Sequence, residues 1–589
     1  MCGILVVVDK KGGGLDLAAC RRALSEMTWR GPDKCVSQDR GGRVFIGQTI
    51  LSLTGDLSEE KNHLRSRSGR RTVAYNGEIY NFRALAQKHL ASLPGLSAPE
   101  ATDSEVLVNL HDALGDARVP EELDGMYAYS IYDEHSGDLT FFRDFQGEKS
   151  LYIYEDENSV VVSSEIRSIL ILHPKAELDA QSLRDYFRTR HFLPFDRTAF
   201  RRIRQIPAGA VLRLDAKSYA WHTIARRDLS DLIDPAAFER NETRTLEDLA
   251  DELDALLASA VRQMLPEGRK YASVVSGGVD SSLISYYVVK YGAPETLVAV
   301  DHLGKDTISD DLTRFEKIFK RPIDTLRVDK APYSAEIKRC QAACGGPLPS
   351  HSFVAQALQS AHVQSKGCRV LFGGDAADEL FGGYSAYLSP ADPETTYSPS
   401  PYTAHGAPEV PFAQDDGERI EQELKDAWKK SLAAYAHVKN PDHRARLAAM
   451  YCDAAYQVPA VGLRGADLMS MMWSVEARTV FIRKSLARFA LNLPLKAKVD
   501  ERENTPERRR TKHLLKILFI RRFGEELLAK KQGFAGFPNE SAQFLGDPSD
   551  FLAYRVLGVK DGFDAGALGR DAFWKLANVE YFLRSRGAA

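Results

Sequence analysis

Cysteine is scarce in this chain: seven in 589 residues, at positions 2, 20, 35, 340, 344, 368 and 452. So odd and thin a set excludes a disulfide-built scaffold and fits a reducing cytoplasm. Cys340 and Cys344 stand one helical turn apart, but no second pair at metal-ligand spacing accompanies them, so they read as core. Long apolar runs are missing too. The run over 4–8 is far too short to span a bilayer and has no charged segment ahead of it; it reads as a buried strand. A net charge of only −3 gives no electrostatic case for nucleic acid or a membrane surface as partner. No internal repeat is visible. What remains is an ordinary soluble composition, 44% hydrophobic and 27% charged, over a length that implies roughly two to four domains.

Two structural grammars follow one another. The first two hundred residues carry strand patterns over 44–48, 71–75, 127–132, 139–143 and 159–163, with helical patterns over 17–27, 83–91 and 104–113. An antiparallel sandwich with helices packed on it fits this alternation. The turn Pro207-Ala208-Gly209 and a polar stretch over 231–245 mark the boundary. Thr245 and Asp248 then form an N-cap pair, and Leu246, Leu249, Leu253, Leu256, Leu257, Val261 and Met264 recur at helical spacing. Strand patterns over 271–275, 296–300, 323–328 and 369–372 alternate with helices, which predicts a parallel α/β sheet. Beyond about residue 418 the chain reads mostly helical. Six prolines between 390 and 411 mark a surface loop, passive or a lid. The basic run Arg508-Arg509-Arg510 with Lys512, interrupted by Glu501, Glu503 and Glu507, reads as a solvated face, with phosphate contact as the alternative.

Three features carry chemistry. Cys2 would become the first residue after one aminopeptidase cut. A free α-amine, with an ordinary pKa of about 7.7–8.0, can take the thiol proton without a histidine partner. Ser276-Gly277-Gly278-Val279-Asp280-Ser281-Ser282 lies between a predicted strand and a predicted helix. Its glycines allow close approach to an anion, and the helix start supplies free N–H groups. No Lys-Ser/Thr follows the glycines, so this is not the loop of γ-phosphate transfer; it suits a grip on pyrophosphate. Asp280 can hold Mg²⁺ there. A second loop, Gly373-Gly374-Asp375-Ala376-Ala377-Asp378-Glu379, follows the 369–372 strand, and Asp378 is a natural second metal ligand.

Cys2-Gly3-Ile4, Arg30-Gly31-Pro32-Asp33, Tyr75-Asn76-Gly77-Glu78-Ile79-Tyr80-Asn81, the 276–282 loop, Asp378-Glu379 and Val475-Glu476-Ala477-Arg478 occur in the order found in the glutamine-hydrolysing asparagine synthetases, which the chain resembles over nearly its whole length. The resemblance implies an N-terminal αββα antiparallel sandwich of the N-terminal-nucleophile fold over 1–210. A doubly wound parallel α/β synthetase domain with a helical C-terminal part would follow over 211–589. It implies a cytoplasmic, ATP- and Mg²⁺-dependent ligase that takes glutamine and a carboxylate acceptor, passes ammonia through a tunnel and releases AMP and pyrophosphate; a homodimer is left open. Cys2 matches the nucleophile, and Asn76 and Gly77 the oxyanion hole. Glu78 and Asp103 match the carboxylates that hold the substrate amine. Ser276, Gly277, Gly278, Asp280, Ser281, Ser282 and Gly374 match the pyrophosphate site, Asp280 and Asp378 the metal ligands, and Lys531 a lysine on phosphate or adenylate. Glu476 and Arg478 are either part of a site or a core pair.

Two departures stand out. Ile50 occupies the position where the family places an arginine on the glutamine α-carboxylate, with Arg65 or Arg67 as conceivable substitutes. Trp29 stands where a histidine is usual. Gly345-Gly346-Pro347 lacks the acidic residue expected at the acceptor site, and Thr479-Val480-Phe481-Ile482-Arg483 replaces Val-Pro-Phe-Leu-Asp. These changes keep three readings beside asparagine synthesis: an amidotransferase for another carboxylate, one with an unusual amide donor, and a non-catalytic glutamine or nucleotide sensor. The ring-closing relatives that usually lack the cysteine are disfavoured by the intact Cys2, Asn76, Gly77 and Asp103.

Overall fold

The computed structural model describes residues 2–53, 65–93, 95–96, 101–189, 196–301, 308–328, 330–390, 410–502, 504–528 and 550–586. In the first unit, strand β1 (Cys2–Asp9) is buried on both faces, which is why its sequence is a continuous apolar run. Alternation sorts its side chains. Ile4, Val6 and Val8 pack with Ala74, Ala128, Phe141 and Ile153 between two sheets, whereas Leu5 and Val7 face Ala23, Leu24, Ile166 and Ile169 on covering helices. Strands β2 (Lys34–Arg40), β3 (Val44–Ile50), β4 (Arg71–Ile79), β5 (Gly125–Asp133), β6 (Leu139–Arg143), β7 (Tyr152–Glu155), β8 (Ser159–Ser163), β9 (Ile203–Gln205), β10 (Ala210–Leu214) and β11 (Trp221–Arg226) complete two sheets. Their orders are β2-β3-β1-β8-β7-β9 and β11-β10-β6-β5-β4.

Helices Leu17–Ser25 and Ile166–Leu172 cover the first sheet. Helices Phe82–His89 and Asp103–Leu114 cover the second. The result is the expected αββα sandwich. β10 and β11 extend the second sheet to Arg226. The polar stretch over 231–245 is largely helical. Asp234 caps helix Pro235–Thr243 through the Ala236 N–H.

Thr245 opens helix Leu246–Met264, its hydroxyl accepting from the Asp248 N–H at 3.1 Å. Leu249, Leu253, Leu257, Val261 and Met264 form the buried stripe. Strands β12 (Tyr271–Val274), β13 (Thr296–Asp301), β14 (Ile323–Arg327), β15 (Val370–Gly373) and β16 (Glu476–Thr479) make one sheet of order β14-β13-β12-β15-β16. Every neighbouring pair is parallel. The chain winds outward from β12 on one side and from β15 on the other, so the switch point lies between those two strands. Helices dominate from Gly417 onward, including Pro441–Cys452, a π-helical stretch Asp453–Leu463 around Pro459, and Arg464–Met471. Cys340 and Cys344 are buried free thiols in the core, as expected. Among the described residues no helix is long and apolar enough to cross a membrane.

Candidate active site

β1 begins at Cys2, which is 6% exposed and lies directly across from Ile50 on β3. β4 brings Asn76, Gly77 and Glu78 to the same edge. The Gln48 amide ties the two sheets together there by bonding both the N–H and the C=O of Tyr75. Cys2 N donates to Asn76 Oδ1 at 3.0 Å, which leaves the Asn76 Nδ2 group buried without a hydrogen-bond partner. A buried, unspent amide donor beside a thiol suits stabilisation of a developing oxyanion. Gly77 is required by packing: a Cβ there would stand 2.2 Å from the Met126 carbonyl oxygen on β5.

Glu78 and Asp103 are both buried. Asp103 sits in the first turn of helix Asp103–Leu114, whose start is fixed by the Thr102–Glu105 capping box. It accepts from the Tyr75 hydroxyl at 2.6 Å and from the Ile79 N–H at 3.2 Å. Burial, then the charge of Asp103, pushes Glu78 up to about 8; Asp103 is raised as well, chiefly by burial. Two buried carboxylates strained in this way suit an ammonium ligand. Arg478 reaches Glu78 from β16 of the second unit at 3.9 Å while bonding Glu476 at 2.6 Å, so it both pairs in the core and touches this pocket.

Ile50 is partly buried and uncharged. Arg65 does not replace the absent cation. It turns to the Gly69 carbonyl at 2.9 Å and toward Glu134 at 4.0 Å, and the Arg67 side chain is exposed. Trp29 donates its indole N–H to Glu165 at 3.0 Å under the stacked Arg167 guanidinium.

The second site lies at the carboxyl ends of β12 and β15. Gly277 takes φ +76°, the left-handed turn that the loop needs. Ser276 and Ser281 hydroxyls bond each other at 2.8 Å, and Gly278 caps helix Val279–Tyr291. Ser282, expected at the loop mouth, is fully buried beneath it. The two loops touch: a Cβ on Gly374 would lie 2.9 Å from Asp280 Cβ and 3.0 Å from Ser281 N. Asp280 and Asp378 converge on one cation, the ammonium of Lys512, at 2.8 Å for Asp378 and in direct contact for Asp280. An all-oxygen carboxylate pair around one point fits a hard divalent cation.

Lys512 therefore corrects the solvated-face reading of its basic run; it is 6% exposed. Arg508 and Arg509 do face outward and pair with Glu525. Sequence reasoning also passed over Asp375. Burial, then the charges of Asp280 and Asp378, pushes it up to about 6. Its place three residues before Asp378 in the same loop was the available signal.

A Cβ on Gly345, at φ +62°, would strike Ile166 of the first unit at 2.4 Å, and one on Gly346 would make ordinary contact with Ala199 at 3.7 Å. Gly345 thus lets the two units approach. Arg483 likewise serves that interface, pairing with Asp124 at 2.6 Å and covering the Tyr80 ring. Lys531, and residues 391–409 of the proline-rich loop, lie outside the described residues.

Comparison with known proteins finds two domain types in the chain. A glutamine amidotransferase domain profile matches residues 1–224 and the asparagine synthase profile matches 252–578, more than half of the chain. The chain belongs to the asparagine synthase family. A Mycobacterium tuberculosis protein provisionally named glutamine-hydrolysing asparagine synthetase is 26% identical over 413 residues, 66% of this chain and 61% of its own length. The chain thus spans less than two thirds of that relative. Glutamine-hydrolysing asparagine synthetase 3 of Bacillus subtilis is 24% identical over 550 residues, 85% of this chain and 83% of that one. Among solved structures, the glutamine phosphoribosylpyrophosphate amidotransferase of B. subtilis, complexed with ADP and GMP, aligns over 72% of this chain and 89% of its own. It does so at 13% identity and a TM-score of 0.30. Within the family architecture, Cys2 opens the amidotransferase unit and the β12–β15 crevice belongs to the synthase unit.

Proposed function

We propose that this asparagine synthase family member is a glutamine-dependent amide ligase with aspartate as its acceptor. The observation that carries the reading is the meeting of Asp280 and Asp378 on one cation at the switch point, in a chain whose first strand presents Cys2 to an unspent amide donor. Removal of Met1 makes the Cys2 nitrogen an amine that takes the thiol proton. The thiolate attacks the side-chain amide carbon of glutamine, and Asn76 Nδ2 with the Gly77 N–H steadies the oxyanion. The C–N bond breaks, the nitrogen takes a proton and leaves as ammonia, and water hydrolyses the thioester to glutamate. Glu78 and Asp103 hold the substrate ammonium.

At the crevice, Ser276, Gly277, Gly278 and Ser281 cradle the pyrophosphate of ATP. Asp280 and Asp378 would hold Mg²⁺, which when bound neutralises the phosphate oxygens. The acceptor carboxylate attacks the α-phosphorus and pyrophosphate leaves. Ammonia then displaces AMP from the acyl-adenylate and gives up a proton as the amide forms. Lys531 is the further phosphate-contacting residue in this reading. Gly345 packs on Ile166 and Arg483 pairs with Asp124, which gives these two departures a packing reading that does not call for another acceptor.

The test is AMP and pyrophosphate release with ATP, Mg²⁺ and glutamine, with and without aspartate, and mass spectrometry of the products. Aspartate-dependent AMP with asparagine formed is expected. Cys2→Ala should abolish the glutamine-supported reaction and leave the ammonia-supported one. AMP formation indifferent to aspartate would refute this acceptor, and no ATP–pyrophosphate exchange with any carboxylate would favour a sensor.

A further inference from the structure

Arg30 belongs to the turn that follows helix Leu17–Ser25, yet its side chain is wholly buried. Its guanidinium is divided among three groups. Nε donates to the Cys2 carbonyl oxygen at 3.1 Å, Nη1 faces Glu165 Oε1 at 3.4 Å, and Nη2 donates to Asp467 Oδ1 at 2.8 Å. Glu165 is already engaged by Trp29 and, at 2.7 Å, by Arg167, so its bond to Arg30 is the longer one. Asp467 is the principal partner. It is 1% exposed and comes from helix Arg464–Met471 of the synthase unit, 437 residues along the chain. Lys149 Nζ lies 3.4 Å from the same oxygen. Burial alone would raise the Asp467 carboxyl; the charges of Arg30 and Lys149 hold it below the usual range.

We propose that Asp467 is a positioning residue for the amide-donor reaction: a carboxylate of the synthase unit that holds Arg30 so that Arg30 Nε fixes the Cys2 carbonyl, and with it the direction of the thiol. This rests on the reading of Cys2 as the nucleophile. The carbonyl sets the backbone rotation at Cys2 while Asn76 Oδ1 holds its nitrogen, so the residue is clamped at both ends. The clamp is not local to the first unit. Ser474, just past the Asp467 helix, donates to the Trp29 carbonyl oxygen at 2.5 Å, next to Arg30. Two residues later the chain enters β16, which pairs with β15, the strand that carries the Asp375–Asp378 loop. Nucleophile and nucleotide loop are thus joined through one helix and one strand pair, with a buried ion pair as the connection. Removing the Asp467 charge leaves Arg30 buried against a longer, shared bond, free to release the Cys2 carbonyl. Small misplacement of a reacting group costs rate rather than binding.

The experiment compares Asp467→Asn and Asp467→Glu with the full-length wild-type chain. Three readouts are taken: kcat and KM for glutamine hydrolysis, labelling of Cys2 by a glutamine-like diazoketone, and AMP formation supported by ammonium chloride. Asp467→Asn should lower kcat and the labelling rate by about tenfold to a hundredfold. KM and ammonia-supported AMP formation should stay within about twofold. Asp467→Glu, which restores the charge one methylene displaced, should recover part of the loss. If the Asn variant is insoluble, Asp467→Ser takes its place: a wild-type kcat there overturns the proposal. So does an Asn variant with unchanged kcat, or a parallel fall of glutamine- and ammonia-supported rates. Failure of wild-type Cys2 to label or to hydrolyse glutamine would instead refute the nucleophile reading, and the proposal with it.

Discussion

Replacing Lys512 by methionine would remove an ammonium that touches both Asp280 and Asp378 while keeping the length of the buried stem. Breaking a buried ion pair by deleting one partner costs about 3–5 kcal/mol, because the remaining charges are left uncompensated. Here two carboxylates lose the same ammonium contact, with Asp375 already pushed up to about 6 beside them. For a domain of this size about 1 kcal/mol corresponds to about 2 °C, so the synthase transition should fall by about 5–10 °C in a thermal scan without metal. A divalent cation that fills the vacated place binds only the folded state. At a hundred times its dissociation constant it returns about 2.7 kcal/mol. Titrated MgCl₂ should therefore raise the variant's transition by several degrees more than the wild type's, where Lys512 competes for the same oxygens. Glutamine hydrolysis at Cys2 should be untouched. The reasoning fails if Lys512→Met unfolds at the wild-type temperature, or if Mg²⁺ shifts both proteins equally.

Other outcomes follow from the same geometry. Glu78 is held up to about 8 and must ionise to hold an ammonium, so KM for glutamine should fall as pH rises from 6 to 8 and level off above. Glu78→Gln should flatten that profile; steady-state kinetics across pH 6–9 checks both. Between the ordinary glutamate value and about 8, the folded site keeps a proton that the unfolded chain has lost. Ionising Glu78 therefore works against folding in that window, and bound glutamine should stabilise the protein more at pH 8.5 than at 6.5 in thermal scans. Gly383→Ala would put a Cβ 1.9 Å from Asp378 Oδ1 and 2.3 Å from Lys512 Cε. ATP–pyrophosphate exchange should drop by about a hundredfold or more while glutamine hydrolysis persists.

Features repeated at short range were legible in the sequence. The buried strand over 4–8, the Thr245–Asp248 cap and the leucine stripe behind it, and the strand-loop-helix around Gly277 all appear where expected. Contacts across hundreds of residues were not. Nothing near Asp467 marks it as the partner of Arg30, and nothing near Lys512 distinguishes it from the outward Arg508 and Arg509. What turns Lys512 inward is a left-handed backbone, φ +51°, immediately before helix His513–Phe523. Gly345-Gly346-Pro347 was legible only as a missing acid. That Gly345 leaves room for Ile166 of the other unit was not.

The depth at which β1 begins has a consequence for how the protein matures. Cys2 is paired with β3 and packed to 6% exposure at the very start of a strand flanked on both sides. An aminopeptidase must reach the bond before Cys2, and in the finished fold Cys2 is paired and buried. Trimming and folding are therefore in competition on the nascent chain, and the order of events decides the product. A chain clipped while β1 is still waiting for β3 and β8 gains its amine. A chain that closes the sheet first would carry an uncut methionine and a silent donor site for its lifetime, so the active fraction of any preparation would be fixed during synthesis rather than by later handling.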